Sequence, residues 1–354
     1  MKKFFILLSL LIFSCQPSNI NIALVGNSSI FFEKYREGLL SAIEEINYEG
    51  GIKGHTIKLT IFENNFNSFE KKKFSAFFVC PISKKDRDEL TKISEKEKTP
   101  LIFLFPTFVS GNQSFLFAGD IISETTFLAD ASFFSLLSNN ALIFEFDKEV
   151  ATIFKNAFNK NGGKVESLNF ANGPLEEMKT KVAERISSKD SPQIFFLAGS
   201  ETVQNNILET IFSYNKVVVA PFSFCSSNKM PDETLTTLVG YNLSSNMLNF
   251  KQFSALFETK YGHIPDNCSL ISYESLFFLK DFLSKKSLKK ETDKRKWIEL
   301  NLSGKVSFDK FGSFLRPFSL AIVKDNDIKD LSTAHKEYLK KIQEKILLKR
   351  IFEQ

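Results

Sequence analysis

Short apolar segments alternate with amphipathic helical segments along most of this 354-residue chain, and this alternation constrains the fold more than any other feature. The first helical segment begins near Phe32 and has apolar residues such as Leu39 and Ile43 on one face. Alternation of this kind predicts an α/β protein with parallel sheets. The predicted strands of this first series are 20–25, 57–62, 76–80 and 101–105, with a helix at 83–98.

A second series of strands and helices begins near Phe127 and repeats the order of the first. In both series the first helix ends at a glycine pair, Gly50-Gly51 and Gly162-Gly163. This repetition predicts two similar lobes, and a cleft between lobes is a common place for a small ligand. The predicted strands are 141–146, 164–170, 193–197 and 217–220, with helices at 148–161, 175–187 and 201–214. Helices at 249–261 and 269–285 and strands at 306–309 and 319–323 complete the predicted fold.

The N-terminus has the parts of a secretion signal. Lys2 and Lys3 precede an apolar run, 4–13, that is too short to span a bilayer. Segment 11–15, Leu-Ile-Phe-Ser-Cys, resembles the lipobox that bacterial lipoprotein signal peptidase cuts before its cysteine. This resemblance implies a signal peptide at 1–14 and an exported chain, lipid-anchored through acylated Cys15 to the periplasmic or cell-surface side of a bacterial membrane. The alternative is an ordinary cleaved signal followed by an unrelated cysteine.

Composition argues against several classes of function. The net charge is +5, but no basic face with interleaved aromatic residues is present, so a nucleic-acid partner is not predicted. Three widely separated histidines do not predict a metal site, and no cofactor or catalytic motif of a hydrolase, protease or nucleotide-binding loop occurs. After export, Cys80, Cys225 and Cys268 could form one disulfide, and their spacing leaves the pairing open.

Several motifs resemble the leucine/isoleucine/valine-type periplasmic binding proteins of ABC transporters. Segment 42–47, Ala-Ile-Glu-Glu-Ile-Asn, is followed by Gly-Gly-Ile-Lys-Gly at 50–54 and then by a strand, as at the start of members of that family. The segments 80–83, Cys-Pro-Ile-Ser, 272–275, Ser-Tyr-Glu-Ser, and 304–309, Gly-Lys-Val-Ser-Phe-Asp, follow in the family's order. The resemblance covers nearly the whole chain after the signal.

The resemblance implies a type I periplasmic binding protein with two Rossmann-like parallel-sheet lobes, a three-strand hinge and Venus-flytrap closure over a ligand. It assigns 20–120 plus 247–300 to lobe 1, 121–246 plus 301–330 to lobe 2, and 331–354 to a charged C-terminal helix. It implies no enzyme but the solute-binding protein of an ABC importer, which captures an amino acid, amide or short organic acid for a membrane permease. The alternative is a scaffold or sensor lipoprotein that keeps the fold without transport.

The resemblance also implies a ligand site built from hydroxyl groups of lobe 1. Thr107 matches the family's hydroxyl after the strand at 101–105, and Tyr273 matches its cleft tyrosine. Ser28 and Ser29 lie in the loop after the first strand. Ser83 precedes a helix, whose unpaired N–H groups attract a carboxylate, and the same placement is typical of a simple N-cap.

Other positions depart from the family's pattern. Lys84 stands where the family has a second cleft serine. In lobe 2, Phe146 is the aromatic residue nearest to a missing Tyr-Gly pair, and Phe222 replaces the acid that pairs with a ligand ammonium group. An ammonium group buried against Phe222 would lack a counter-charge, which costs several kcal/mol. Branched-chain amino acids are therefore not the expected ligands.

Overall fold

The computed structural model describes residues 19–64, 73–108, 111–169, 175–188, 191–199, 203–240, 247–284, 298–309, 312–331, 340 and 343–344. These residues form two large sheets, each covered by helices, and the predicted α/β class is confirmed. The signal segment 1–14 and Cys15 lie outside the described residues, as does most of the C-terminal segment 331–354. Within that segment, the Gln343 side chain donates a hydrogen bond to the Ser135 carbonyl oxygen (2.7 Å).

Lobe 1 contains a five-stranded parallel sheet in the order β2-β1-β3-β4-β5. Ile22 to Val25 are fully buried because helices cover both faces of the sheet, as is usual for parallel strands. The strands are β1 (Ile20–Gly26), β2 (Ile57–Glu63), β3 (Ala76–Val79), β4 (Leu101–Phe103) and β5 (Ser114–Leu116). The helices are α1 (Ile30–Tyr48) and α2 (Lys84–Glu97).

Lobe 2 contains a seven-stranded sheet in the order β14-β13-β10-β9-β8-β6-β7, in which β13 is antiparallel to both of its neighbours, β10 and β14, and the other pairs are parallel. The strands are β6 (Asn140–Glu145), β7 (Lys164–Asn169), β8 (Ile194–Ala198), β9 (Val217–Val219), β10 (Leu235–Val239), β13 (Phe318–Lys324) and β14 (Asp327–Asp330). The helices are α3 (Ile121–Asp130), α4 (Lys148–Lys160), α5 (Leu175–Ser187), α6 (Asn205–Phe212) and α7 (Phe222–Ser227).

Two later helices, α8 (Met247–Tyr261) and α9 (Asn267–Ser284), belong to the first lobe, because α9 packs along α1. A small hairpin of β11 (Ile298–Leu300) and β12 (Gly304–Val306) follows. Arg316 holds the segment that leads from this hairpin back to β13: its guanidinium pairs with buried Glu274 (3.0 Å) and donates to the Ser303 hydroxyl (3.0 Å). The ion pair is almost wholly buried and fixes one connection between the lobes.

The structure also contains elements that the sequence pattern did not predict. Helix α3 and the π-helical turn after it, Ala131–Ser135, were missed, although Asp120 caps α3 by accepting the Ser123 N–H (2.8 Å). Strand β10 was missed because its Thr236 and Thr237 are buried polar residues within a short segment. The helix predicted at 201–214 is limited to α6 among the described residues, and the strand predicted at 306–309 ends at Val306. No helix in the described part of the chain is both long and apolar enough to cross a bilayer.

Candidate functional site between the lobes

The predicted lobe 1 residues lie at one edge of its sheet. Ser29 follows β1, Ser83 follows β3 and Thr107 follows β4, and β3 lies between β1 and β4 in the sheet. Adjacent strands are about 5 Å apart, so these three loops emerge side by side at the carboxyl edge, where α/β sheets bind ligands. Gly26 allows the close approach there, since a Cβ atom on it would lie 2.5 Å from the Phe32 ring and 2.8 Å from Cys80 Cβ.

A pocket of about 330 Å³ lies between this edge and lobe 2. On the lobe 1 side its walls are Ser29, Ile30 and Phe31, and on the lobe 2 side they include residues 225–230 and Val323. The Ser29 hydroxyl caps α1 by accepting the Phe32 N–H (3.1 Å). Ser28 is exposed beside it, and its N–H donates to the Asn64 side-chain oxygen (2.9 Å).

The two lobes touch beside this pocket. The rings of Phe31 and Phe222 meet edge to face with centroids 6.0 Å apart. Lys34 Nζ lies 2.7 Å from Asp266 Oδ2 in lobe 1 and 2.6 Å from Asp327 Oδ1 in lobe 2. Burial disfavours the Lys34 ammonium group, but the two carboxylates outweigh burial and raise the pKa of Lys34 above its ordinary value. An apolar contact and an ion pair therefore join the lobes.

Thr107 has a partner that the sequence did not reveal. Its buried hydroxyl oxygen accepts a hydrogen bond from Arg87 Nη1 at 2.6 Å. The Thr107 carbonyl oxygen accepts the Ile121 N–H (3.1 Å), which ties this loop to the start of the first lobe 2 helix. Thr107 thus lies where the chain passes from one lobe to the other.

Arg87 lies in the first turn of α2 and is only 6% exposed. In the described part of the chain its one ion-pair contact is a long one, 3.9 Å from Nε to the half-exposed Asp88 carboxylate, and Nε makes no hydrogen bond. Ser83, at the N-cap of the same helix, donates its hydroxyl proton to Asp86 Oδ2 (2.6 Å) and accepts the Asp86 N–H (3.2 Å). Lys84 is exposed beside it. Arg87 is therefore a buried cation without a close counter-charge among these residues.

The facing wall of lobe 2 is aromatic. Phe222 and Phe224 are buried, and half-buried Phe146 packs against Phe224 with ring centroids 5.6 Å apart. Phe146 follows β6 and Phe222 follows β9, so both lie at the carboxyl edge of the lobe 2 sheet. The aromatic wall thus has two contacts: Phe146 packs on Phe224, and Phe222 packs on the lobe 1 residue Phe31.

A buried carboxylate stands behind this wall. Glu124 Oε1 accepts the Phe222 N–H (2.7 Å) and the Thr237 hydroxyl, whereas Oε2 makes no hydrogen bond with any described residue. Burial raises the pKa of Glu124 to about 7; the hydrogen bonds from Thr237 and Phe222 oppose the rise, and the charge of Asp120 adds to it. Sequence reasoning missed Glu124 because its partners are about a hundred residues away along the chain.

The structure places Tyr273 elsewhere. Its hydroxyl donates to Glu45 Oε2 (2.6 Å) and accepts a hydrogen bond from the Asn301 side chain (2.9 Å). Glu45 is near the end of α1, roughly 24 Å along the helix from Ser29 at 1.5 Å per residue. Tyr273 lines a separate pocket of about 640 Å³ between α1, α8 and α9. It is therefore not grouped with Ser83 and Thr107.

The three cysteines of the body are buried free thiols, so none of the disulfides that the sequence left open is formed. Burial raises the pKa of Cys80 and Cys268 well above the ordinary value and that of Cys225 to about 12. No group of three or more metal-ligating side chains is found among the described residues.

Comparison with known proteins identifies the fold. No protein-family model matches this chain, and no curated protein matches it in sequence. The leucine-binding protein LivK of Thermotoga maritima superposes with a TM-score of 0.64 and 15% identity, over 88% of this chain and 97% of LivK. LivJ of Streptococcus pneumoniae is a branched-chain amino-acid transporter substrate-binding protein in complex with isoleucine. It superposes with a TM-score of 0.66 and 14% identity, over 88% of this chain and 98% of LivJ.

Ligands of another kind occur among the matching structures. A solute-binding protein of an ABC transporter from R. palustris, in complex with benzoate, gives a TM-score of 0.62 and 13% identity, over 89% of this chain and 96% of that one. The resemblance inferred from the sequence motifs is thereby confirmed for the fold, which is that of the type I periplasmic binding proteins. Identities this low establish the fold alone.

Proposed function

We propose that this protein is a solute-binding protein outside the cytoplasm that captures a small organic solute between its lobes and delivers it to an ABC permease. The observation that supports this most is the inter-lobe site, in which the polar group of Arg87 and Thr107 lies at the cleft edge of lobe 1 and an aromatic wall lies on lobe 2. Proteins of the same fold bind leucine, isoleucine and benzoate. Since the matching proteins of this fold are substrate-binding proteins, we propose binding rather than catalysis.

Ligand capture follows from lobe closure. A ligand held by Thr107 in lobe 1 and covered by Phe222 in lobe 2 contacts both lobes only in the closed state. It therefore shifts the population toward that state by the difference between its two affinities. The permease would then recognise the closed form.

Thermal unfolding of the full chain, purified in detergent, tests this function. A panel of amino acids, amides and short organic acids should contain at least one solute that raises the melting temperature, because a ligand bound only by the folded state stabilises it. Thr107→Val should weaken that binding by about fivefold, since one hydrogen bond contributes about 1 kcal/mol. Thr99→Val is the matched control: Thr99 is also buried in lobe 1 but lies before β4 instead of after it. Equal affinity of both variants and the wild type would discard the site.

We further propose that acylated Cys15 anchors the protein to the membrane beside its permease. The lipobox-like segment 11–15 supports this proposal. Cys15→Ser should move the protein from the membrane fraction to the soluble fraction of cells. A variant that stays in the membrane fraction would contradict the anchor.

One observation favours the second candidate, a scaffold or sensor lipoprotein. Phe31 and Phe222 already meet across the cleft, and the buried apolar core is continuous from one lobe to the other. A protein held closed by such contacts has less need of a ligand. No thermal shift across the whole panel would favour this candidate over the importer.

A further inference from the structure

We infer that the ligand is an organic carboxylate with an apolar, ring-sized body, and that Arg87 together with Thr107 binds its carboxylate group. This inference rests on the proposed function and specifies the class of solute. It assigns a ligand contact to Arg87, which no sequence motif had indicated.

The first argument is the charge of Arg87. An arginine is charged at every physiological pH, and burying it without a counter-charge is costly. Its Nε makes no hydrogen bond and its one ion-pair contact, to Asp88, is long and partly exposed among the described residues. An incoming carboxylate would supply both the missing charge and the missing acceptor, and arginine binds carboxylates through two parallel hydrogen bonds.

The second argument is the arrangement of donors. Because the Thr107 oxygen accepts from Arg87 Nη1, its own proton is directed to another acceptor. The hydroxyl and the guanidinium are thus adjacent donors, and they lie beside the first turn of α2, whose helix dipole favours an anion. The Ser83 hydroxyl already donates to Asp86. Arg87 therefore binds the ligand carboxylate, the role that the family pattern assigns to serine.

The third argument is the wall of lobe 2. Phe146 is half-buried and packs on buried Phe224, and the ring of Phe222 would become available to a ligand body where it separates from Phe31. Glu124, behind this wall, is fully buried, and one of its oxygens accepts the Phe222 N–H. The rings therefore favour an apolar ligand body, whereas the charge of the ligand is set by Arg87 in lobe 1.

Calorimetric titration of the full chain with two related probes tests the inference: 3-phenylpropionate and its neutral amide. We expect 3-phenylpropionate to bind at least tenfold more tightly than the amide. Arg87→Gln should weaken its binding by about ten- to a hundredfold, the range expected for a hydrogen bond to a charged group, and should leave the amide unaffected. Arg36→Gln, which changes a half-exposed arginine of α1, is the control.

Folding of the variants is checked by thermal unfolding without ligand. Arg87→Gln should melt no lower than the wild type, because it removes an uncompensated buried charge. Arg87→Lys, which keeps the charge but not the paired donors, should retain part of the affinity.

The outcomes separate the two proposals. Equal binding of the acid and its amide, or unchanged affinity of Arg87→Gln for 3-phenylpropionate, would overturn the inference while solute binding stands. Binding of neutral solutes alone would do the same. No binding of any probe, and no thermal shift across the wider panel, would overturn the proposed function as well.

Discussion

The two lobes present the same strand–loop–helix geometry to the cleft but opposite chemistry. In lobe 1 the loops after β3 and β4 bring Arg87 and the Thr107 hydroxyl to the edge, whereas in lobe 2 the loops after β6 and β9 bring Phe146 and Phe222. The fold therefore determines where a ligand lies, and the residues at the strand ends determine what it is. One lobe supplies polar recognition and the other supplies an apolar cover.

Lobe 2 also contains polar groups: Ser226, Asn228 and Lys229 line the pocket of about 330 Å³ between the lobes, and others face inward. Glu124 Oε2 and the hydroxyls of Thr125, Ser223 and Thr236 are buried and have no hydrogen-bond partner among the described residues. These groups lie behind the aromatic wall, on α3, α7 and β10. The lobes thus differ in the direction in which these polar side chains point as well as in which residues they contain.

Glu124→Gln, which changes a buried acid of lobe 2, should give the largest change in the free energy of unfolding among the substitutions that test this comparison. Because the folded-state pKa of Glu124 is raised from 4.5 to about 7, the contribution of Glu124 to stability is fully present below pH 4.5 and is lost as the pH rises to about 7. Glutamine keeps the acceptor for Phe222 without the charge. Chemical denaturation should show the variant to be more stable by about 3 kcal/mol at pH 8 and nearly equal at pH 4.

The control for this prediction is Glu149→Gln, at an exposed position in the first turn of α4. Its stability should stay within about 0.5 kcal/mol of the wild type. If Glu124→Gln shows no pH-dependent gain over the wild type, Glu124 is not the buried acid described above.

Lys34→Met tests the charged contact between the lobes and should have an intermediate effect. Two carboxylates, Asp266 and Asp327, lose their partner, which should cost about 2 kcal/mol after allowing for the partial exposure of Asp327. The raised pKa of Lys34 means that this contribution is present in full below pH 10.5 and is lost only as the pH rises through the folded-state pKa. Denaturation in high salt should reduce the difference.

Lys260→Met is the matched control, since the exposed pair of Lys260 with Glu44 lies within one lobe. It should cost less than about 1 kcal/mol. Small-angle scattering should show a larger radius of gyration for Lys34→Met than for the control. Equal radii would mean that Lys34 does not help to hold the lobes together.

The aromatic contact between the lobes should give the smallest effect. Phe31→Leu and Phe222→Leu keep apolar bulk but remove the edge-to-face ring pair. A double-mutant cycle should give a coupling free energy of about 1 kcal/mol. Additive effects of the two substitutions would show that the rings do not interact.

The fold could be predicted from the sequence because its strands and helix ends are marked by patterns that span only a few consecutive residues. Fully apolar segments such as Ile22 to Val25 indicate strands buried on both faces, and the glycine pairs mark where helices end. The N-cap of Ser83 was predicted for the same reason, since its partner Asp86 is three residues away. Short-range patterns are the ones that a single sequence displays.

The site could be predicted only in part because its contacts are distant in sequence. Thr107 was predicted to bind a ligand because it matches the family's hydroxyl after the strand at 101–105, and this role stays a prediction. Its bond to Arg87 depends on how α2 docks against the loop after β4. The position of Tyr273 depends likewise on the packing of α9 against α1, which turns its hydroxyl toward Glu45. Neither contact has a sequence spacing that would reveal it.

Hydrogen–deuterium exchange of the full chain with and without 3-phenylpropionate tests most directly whether the ligand lies between the lobes. We expect slower exchange in the loops after β1, β3 and β4 of lobe 1, and in the segments around Phe146 and Phe222 of lobe 2. Slower exchange confined to the pocket that contains Tyr273, between α1, α8 and α9, would contradict an inter-lobe site, as would no change at all.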